Sequence, residues 1–100
     1  MLIYCAGPEV FLQNAHEVFA EKLNVCQKYG AMGITPFDAD HPHERGSANL
    51  AISICRENMR LIDRCDAVVA NITPWRGVHM DPGTSFEIGY ALAKGKKVAC

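Results

Sequence analysis

Apolar positions along this chain alternate between short runs and helical stripes. Leu2 to Ala6 is a compact apolar run containing the β-favouring Ile3 and Tyr4, and Gly7-Pro8 closes it. Asn14 to Lys28 has helical spacing, with Ala15, Val18, Phe19 and Leu23 on one side and Glu17, Glu21 and Lys22 elsewhere. Asn14 is placed to cap that helix with Glu17 as the partner of a capping box, and Gly30 follows its last turn. Met32 to Pro36 reads as a second strand. Phe37 to Gly46 is polar and turn-rich, a long surface loop of the kind that often carries function.

Ser47 can cap the next helix, Ala48 to Arg64. Its apolar residues, from Leu50 through Ile54 to Ile62, recur every three or four positions. Asp66 opens a third strand, Ala67 to Ile72. This run is almost continuously apolar, as expected of a strand buried on both faces. A loop rich in Pro and Gly covers Thr73 to Gly83. Thr84 to Lys94 is predicted to be the third helix, ended by Gly95, and Val98 to Cys100 begins a fourth strand. Strand and helix in alternation require a parallel sheet, because parallel neighbours need a crossover. Right-handed crossovers then give a doubly wound α/β sandwich. Residues 1–100 are expected to form one domain, incomplete at the C-terminus because the last strand has only begun.

Composition narrows the class. Of the 100 residues 49% are apolar and 21% charged, with a net charge of −1, so disorder and a basic surface for a nucleic-acid polymer are both disfavoured. No apolar run approaches the roughly 20 residues of a membrane span, and the first residues lack the basic region of a secretory signal. The five cysteines are odd in number and scattered, without a CxxC pair. They are expected to be reduced, mostly buried thiols of a cytoplasmic protein.

Open α/β sheets bind ligands beyond the carboxyl ends of their strands. Three loops meet that description: 7–13, 37–46 and 73–83. The last leads into the richest segment, Asn71 to Tyr90, where Asp81, Gly83 and Glu87 stand at a helix start. A carboxylate near a helix N-terminus is stabilised as the anion, and an ionised carboxylate against an electrophilic carbon is a competent nucleophile. The alternative is purely structural: Thr84 and Glu87 also fit a capping box. Asp81 has a similar alternative as a turn-former before Pro82. Trp75 can cover the core edge, and Arg76 is either a substrate contact or a solvated loop charge.

Tyr4 is either a core tyrosine or a hydroxyl that orients a carboxylate across the strand ends. Phe11, after Val10, is either core or an apolar lid over a flat aromatic ligand. The glycines at 7 and 83 let a ligand approach the backbone. His41 and His43, with Asp38 and Asp40, suggest a metal only weakly, since their spacing matches no strong ligand pattern. Neither GxGxxG nor a Walker A sequence is present.

Taken together, several segments resemble the nucleoside 2-deoxyribosyltransferases. They are Tyr4-Cys-Ala-Gly-Pro-Glu-Val-Phe11, Asn58-Met59, Cys65-Asp-Ala-Val-Val-Ala-Asn71, Thr73-Pro-Trp-Arg-Gly77 and Asp81-Pro-Gly-Thr-Ser-Phe-Glu-Ile-Gly-Tyr90. The resemblance spans essentially the whole chain. It implies a flavodoxin-like sheet and an exchange reaction at an N-glycosidic bond, with no cofactor. Glu87 matches the nucleophile that forms a deoxyribosyl ester, and Tyr4 the residue that orients it. Asp81 matches a substrate contact at a sugar hydroxyl. Asn58 stands where some members carry an aspartate that serves the base, and asparagine supplies no titrating proton. Phe11 is the candidate for stacking on the base.

The implied partners are a 2'-deoxynucleoside or deoxynucleotide and a free nucleobase, in a homo-oligomer with shared active sites. A hydrolase acting on deoxynucleoside 5'-monophosphates is the alternative on the same sheet. A nucleotide-binding module without turnover is the third reading.

Overall fold

The computed structural model describes residues 1–39 and 48–100, the side chains of 48 and 49 excepted. The strands are β1 (Leu2–Ala6), β2 (Met32–Ile34), β3 (Ala67–Ala70) and β4 (Lys97–Ala99). The helices are α1 (Ala15–Lys28), α2 (Ala48–Arg64) and α3 (Pro82–Ala93). All four strands are parallel, in the order β2-β1-β3-β4. Tyr4 lies beside both Ile34 and Val68 in the register. The chain leaves β1 toward one edge and returns through β3 on the other side. The order therefore reverses between β1 and β3, and their carboxyl ends frame a crevice.

Alternation along the strands divides the side chains between two faces. Tyr4, Ala6, Val68 and Ala70 turn to one face and join Leu61, Ile62, Cys65 and Ala91 of the α2 and α3 side in the core. Ile3, Cys5 and Val69 turn to the other, where α1 contributes Val18, Val25 and Cys26 to an apolar hollow of about 540 Å³. Helices thus lie on both faces, as the doubly wound pattern requires. The expectation that β3 is buried on both faces is corrected at Val69, which is 46% exposed. Gly33 of β2 explains this. It lets Leu23 and Cys26 approach closely, so α1 seats on the β2 side and leaves β3 partly uncovered.

Element boundaries shift where side chains compete for backbone groups. β2 ends at Ile34 rather than Pro36, because Thr35 caps a short 3₁₀ turn, Pro36–Asp38. There Asp38 accepts from Thr35 N at 2.8 Å, and Thr35 Oγ1 accepts from Phe37 N at 3.2 Å. β3 ends at Ala70 rather than Ile72, although Asn71 N still donates to Ala6 O at 2.9 Å. α3 begins at Pro82 rather than Thr84, because Asp81 is its cap.

The capping box expected at Asn14 does not form. Asn14 has φ −98° and ψ 28°, and its side chain makes no capping bond. A 3₁₀ turn, Pro8–Phe11, leads into α1, and Ala15 N pairs instead with Leu12 O at 3.2 Å. Gly30 takes φ 80°, the left-handed end that α1 needs. The five cysteines are unpaired, but only Cys5 and Cys65 are buried, which corrects the expectation of mostly buried thiols. Ser47, the candidate cap of α2, and most of the 37–46 loop lie outside the described residues. No helix among the described residues is long and apolar enough to cross a membrane.

Ile62 is fully buried at the centre of the core, whereas Ile52 on the same helix is half exposed. Ile62→Ala is therefore expected to cost about 2–5 kcal/mol in chemical denaturation. Ile52→Ala is expected to cost about 0.5 kcal/mol or less by the same measurement.

Candidate active site

β1 delivers Tyr4 to the core face two residues before its end, and α3 delivers Glu87 to the same place. Tyr4 is fully buried and Glu87 is nearly so. The tyrosine hydroxyl donates to Glu87 Oε2 at 2.7 Å. Both readings of Tyr4 therefore meet in one residue, a core ring whose hydroxyl holds a carboxyl group. The capping-box alternative for Glu87 is excluded. Asp81 is the N-cap, and its Oδ2 accepts from Thr84 N and from Thr84 Oγ1, each at 2.9 Å. Glu87 stands in the second turn of α3, beyond the free amides.

That position changes the electrostatics expected from the sequence. Burial raises the Glu87 carboxyl from its ordinary 4.5 to about 7, hydrogen bonds from Tyr4 and Asn58 pull it down, and the Asp81 charge adds to the rise. The carboxyl titrates across neutral pH rather than remaining ionised throughout it. Burial, and then the neighbouring Glu87, push the Tyr4 hydroxyl far above its usual range. It stays protonated and acts as a donor.

A cavity of about 580 Å³ opens over this pair, a size suited to a small molecule. Gly7, Phe11, Asn58, Asp81, Gly83 and Glu87 all line it, and Val10, Pro36, Phe37, Pro82 and Ile54 complete its walls. Asn58 Oδ1 is buried without a hydrogen-bond partner among the described residues. It is an acceptor beside the cavity, left open once the amide nitrogen serves Glu87.

Phe11 is 53% exposed and forms one lip of the opening. Trp75 stacks on it with ring centroids 5.8 Å apart and an interplanar angle of 20°. Arg76 lies over both rings, its guanidinium carbon 5.1 Å from each centroid. Arg76 also takes φ 53°, left-handed backbone that costs a non-glycine residue roughly 1–2 kcal/mol. A solvated loop charge needs neither feature, so Arg76 belongs to the lip.

The turn at Gly7 contains a residue that the sequence reading passed over. Glu9 is buried, and its Oε1 accepts from Lys22 Nζ and from Asn71 Nδ2. Burial favours its neutral form, but these hydrogen bonds and the lysine charge outweigh it and hold the carboxyl below its ordinary value. The partners lie 13 and 62 residues away, so no local pattern announces the cluster. Phe37 and Ile54, a loop and a helix position by sequence, likewise carry no local sign that they line the cavity. Asp38 serves the 3₁₀ turn, and the other members of the candidate metal cluster, residues 40, 41 and 43, lie outside the described residues.

Comparison with known proteins places this geometry in a family context. A sequence model described as "Nucleoside 2-deoxyribosyltransferase" matches residues 3–100. An uncharacterized protein of Schizosaccharomyces pombe is 38% identical over 97% of the chain, which spans 47% of that protein. A 2-desoxiribosyltransferase from Leishmania mexicana superposes with a TM-score of 0.71 at 30% identity, over 97% of this chain and 61% of that one. A 2-deoxyribosyltransferase from Bacillus psychrosaccharolyticus gives 0.76 at 23% identity, over 98% and 69%. The CMP N-glycosidase of Clostridium botulinum gives 0.60 at 20%, over 98% and 68%. The last two, at such identities, share the fold.

Glu87 has a stability consequence that can be measured without substrate. Its carboxyl is raised in the folded chain, so the native state holds a proton that the unfolded chain has released between pH 4.5 and about 7. The favourable contribution is complete below pH 4.5 and is lost as pH rises through about 7. Glu87→Gln keeps an acceptor for Tyr4 and removes the buried charge. It is expected to raise the melting temperature at pH 8, by up to about 3 kcal/mol of stability, and to gain nothing at pH 4.

Proposed function

Because the chain belongs to the nucleoside 2-deoxyribosyltransferase family, we propose that it transfers 2-deoxyribose between nucleobases through an ester on Glu87. The observation that carries this reading is the 2.7 Å hydrogen bond from Tyr4 to Glu87 beneath the cavity. With Oε2 held by the tyrosine, the carboxyl plane is fixed and Oε1 is the attacking oxygen. It bonds to C1' of a bound 2'-deoxynucleoside as the bond from C1' to the base breaks. The base departs with the electron pair and takes a proton.

The incoming base then attacks C1' from the vacated face, and the ester oxygen leaves as the carboxylate. Two inversions give net retention, as in a retaining glycosidase. Departure of the base places positive character on the sugar, and the carboxylate stabilises it at contact distance.

The remaining residues take supporting roles. Phe11 stacks on the base, with Trp75 and Arg76 behind it. Asp81, already committed to Thr84 through Oδ2, has Oδ1 for a sugar hydroxyl. Asn58 offers Oδ1 to a donor on the ligand. It provides no titrating proton, so the leaving base takes its proton from water or from another residue. Gly83 keeps the wall low where the sugar sits, whereas the space beside Gly7 is taken by the Glu9 side chain. A hydrolase uses the same first half-reaction with water as the acceptor. The shared fold of the CMP N-glycosidase makes that the second reading.

Incubation with a 2'-deoxynucleoside and no acceptor is expected to leave a sugar adduct on the peptide containing Glu87, detected by mass spectrometry. Its absence, with activity present, defeats the covalent mechanism. Adding a second base separates the two readings: incorporation of that base marks a transferase, and release of free sugar alone marks a hydrolase.

Glu87→Ala is expected to reduce turnover by several orders of magnitude, on the order of 10⁴-fold or more, with the fold retained. Tyr4→Phe is expected to lower kcat by about 10–100-fold. Because the nucleophile must be ionised, kcat is expected to fall as pH drops through about 7. A flat profile between pH 5 and 8 would contradict that assignment.

A further inference from the structure

One buried acid takes no part in the proposed chemistry. Glu9 is 4% exposed, and a carboxylate so buried is normally paired. Its Oε1 receives Lys22 Nζ from α1 and, at 2.7 Å, Asn71 Nδ2 from the end of β3. Its Oε2 occupies the space a Cβ on Gly7 would need, so glycine at position 7 allows the side chain to fold back over the strand end.

Asn71 uses both ends of its amide. Nδ2 donates to Glu9, and Oδ1 accepts from Thr73 N at 3.0 Å. The 3₁₀ turn that holds Glu9 ends at Phe11. The segment that Thr73 opens carries Trp75 and Arg76. The roots of both lips are thus fixed by one carboxylate–amide pair, and their tips meet in the ring stack.

We propose that Glu9 and Asn71 form a latch that sets the spacing of the two lips over the cavity, which makes Glu9 a positioning residue for the ring that covers the substrate. This deepens the functional reading above and rests on it for what lies beneath Phe11. The latch is directional. A carboxylate only accepts, so the amide must supply the donor. Lys22 balances the buried charge, and α1 anchors the pair to the body of the fold. Among the described residues, the lip that carries Trp75 is also braced by a turn of its own, Trp75 N donating to His79 O at 2.9 Å. That bond shapes the tip and leaves its lateral position to the root.

Reversing the polarity of the pair tests the latch. Trp75 is the single tryptophan of these 100 residues, so its fluorescence reports the stack in the absence of any substrate. Asn71→Asp sets two carboxylates against each other. It is expected to shift Trp75 emission to the red, increase quenching by acrylamide, and raise KM about tenfold with kcat nearly unchanged.

Adding Glu9→Gln restores a donor and an acceptor with their direction exchanged. The new carboxylate accepts from Thr73 N and takes over balancing the charge of Lys22, which shares Glu9 Oε1 with the Asn71 amide in the parent. The double variant is expected to recover both the parental emission and the parental KM. Asn71→Ala, which removes the amide without adding charge, is expected to move both readouts in the direction of Asn71→Asp.

The latch is overturned if these single variants keep the native circular dichroism and an unchanged Trp75 signal. It is also overturned if the double variant is no better than Asn71→Asp. If the emission changes and is rescued in a chain with no glycosyl transfer or hydrolysis at all, the latch stands and the functional reading fails.

Discussion

The hydrogen bond from Tyr4 to Glu87 constrains the rest of the molecule. Its two ends come from the first strand and the last helix, 83 residues apart, and meet where burial is nearly complete. For them to meet, β1 must lie between β2 and β3, and α3 must cross on the Tyr4 face. A slip of one residue in β1 would turn Tyr4 to the α1 side and leave the Glu87 carboxyl without its main donor. The bond also decides protonation. Burial alone would leave the acid neutral at physiological pH, and full exposure would leave it an ordinary solvated carboxylate. Burial with donors from Tyr4 and Asn58 holds it near 7, where the anion is populated but poorly solvated.

The molecule contains two buried glutamates with opposite electrostatics, and the contrast separates their roles. Glu9 faces Lys22 and the Asn71 amide, so its charge is paired and its carboxyl lies below the ordinary value. Burial lifts the Glu87 carboxyl above its ordinary value, the neutral donors Tyr4 and Asn58 offset that only in part, and the nearby acid Asp81 reinforces it. An acid neutralised by a cation is a poor nucleophile, because attack would abandon the ion pair. An acid held by neutral donors loses less as its charge passes into a bond. The environments therefore favour the proposed division, Glu9 to architecture and Glu87 to chemistry, as environments divide paired carboxylates elsewhere.

Much of this arrangement was legible in the sequence, and the remainder is missing for physical reasons. Helical periodicity located α2 at its observed bounds, because seventeen residues of strong amphipathic pattern leave little room for another element. The parallel sheet followed from alternation alone. Boundaries failed at Thr35, Asn71 and Asp81, where side chains that can either extend an element or cap one are decided by their neighbours. Glu87 was legible as a candidate but ambiguous with a capping box. The ambiguity resolves only when Asp81 is seen to take the cap, because both choices satisfy the same spacing. Glu9 was invisible because its partners lie on other elements and nothing in the turn Gly7-Pro-Glu9 encodes them.

This chain spans 47–69% of the relatives it matches, and the site residues described above lie between Tyr4 and Glu87, within the stretch matched by the family. The shared sheet does not distinguish transfer from hydrolysis, since one fold supports both chemistries. In the mechanism we propose, the distinction falls on the second half-reaction, when a sugar ester on Glu87 meets water or a base. An ester under an open cavity meets water first. An ester under a closed aromatic lip meets whatever flat molecule can displace or slide beneath that lip, and water is at a disadvantage. In this chain the lip is built from Phe11, Trp75 and Arg76, with the guanidinium capping both rings. On the proposed mechanism, acceptor choice depends less on the nucleophile than on how firmly the two loops hold that stack, which puts specificity in the loops and reactivity in the core.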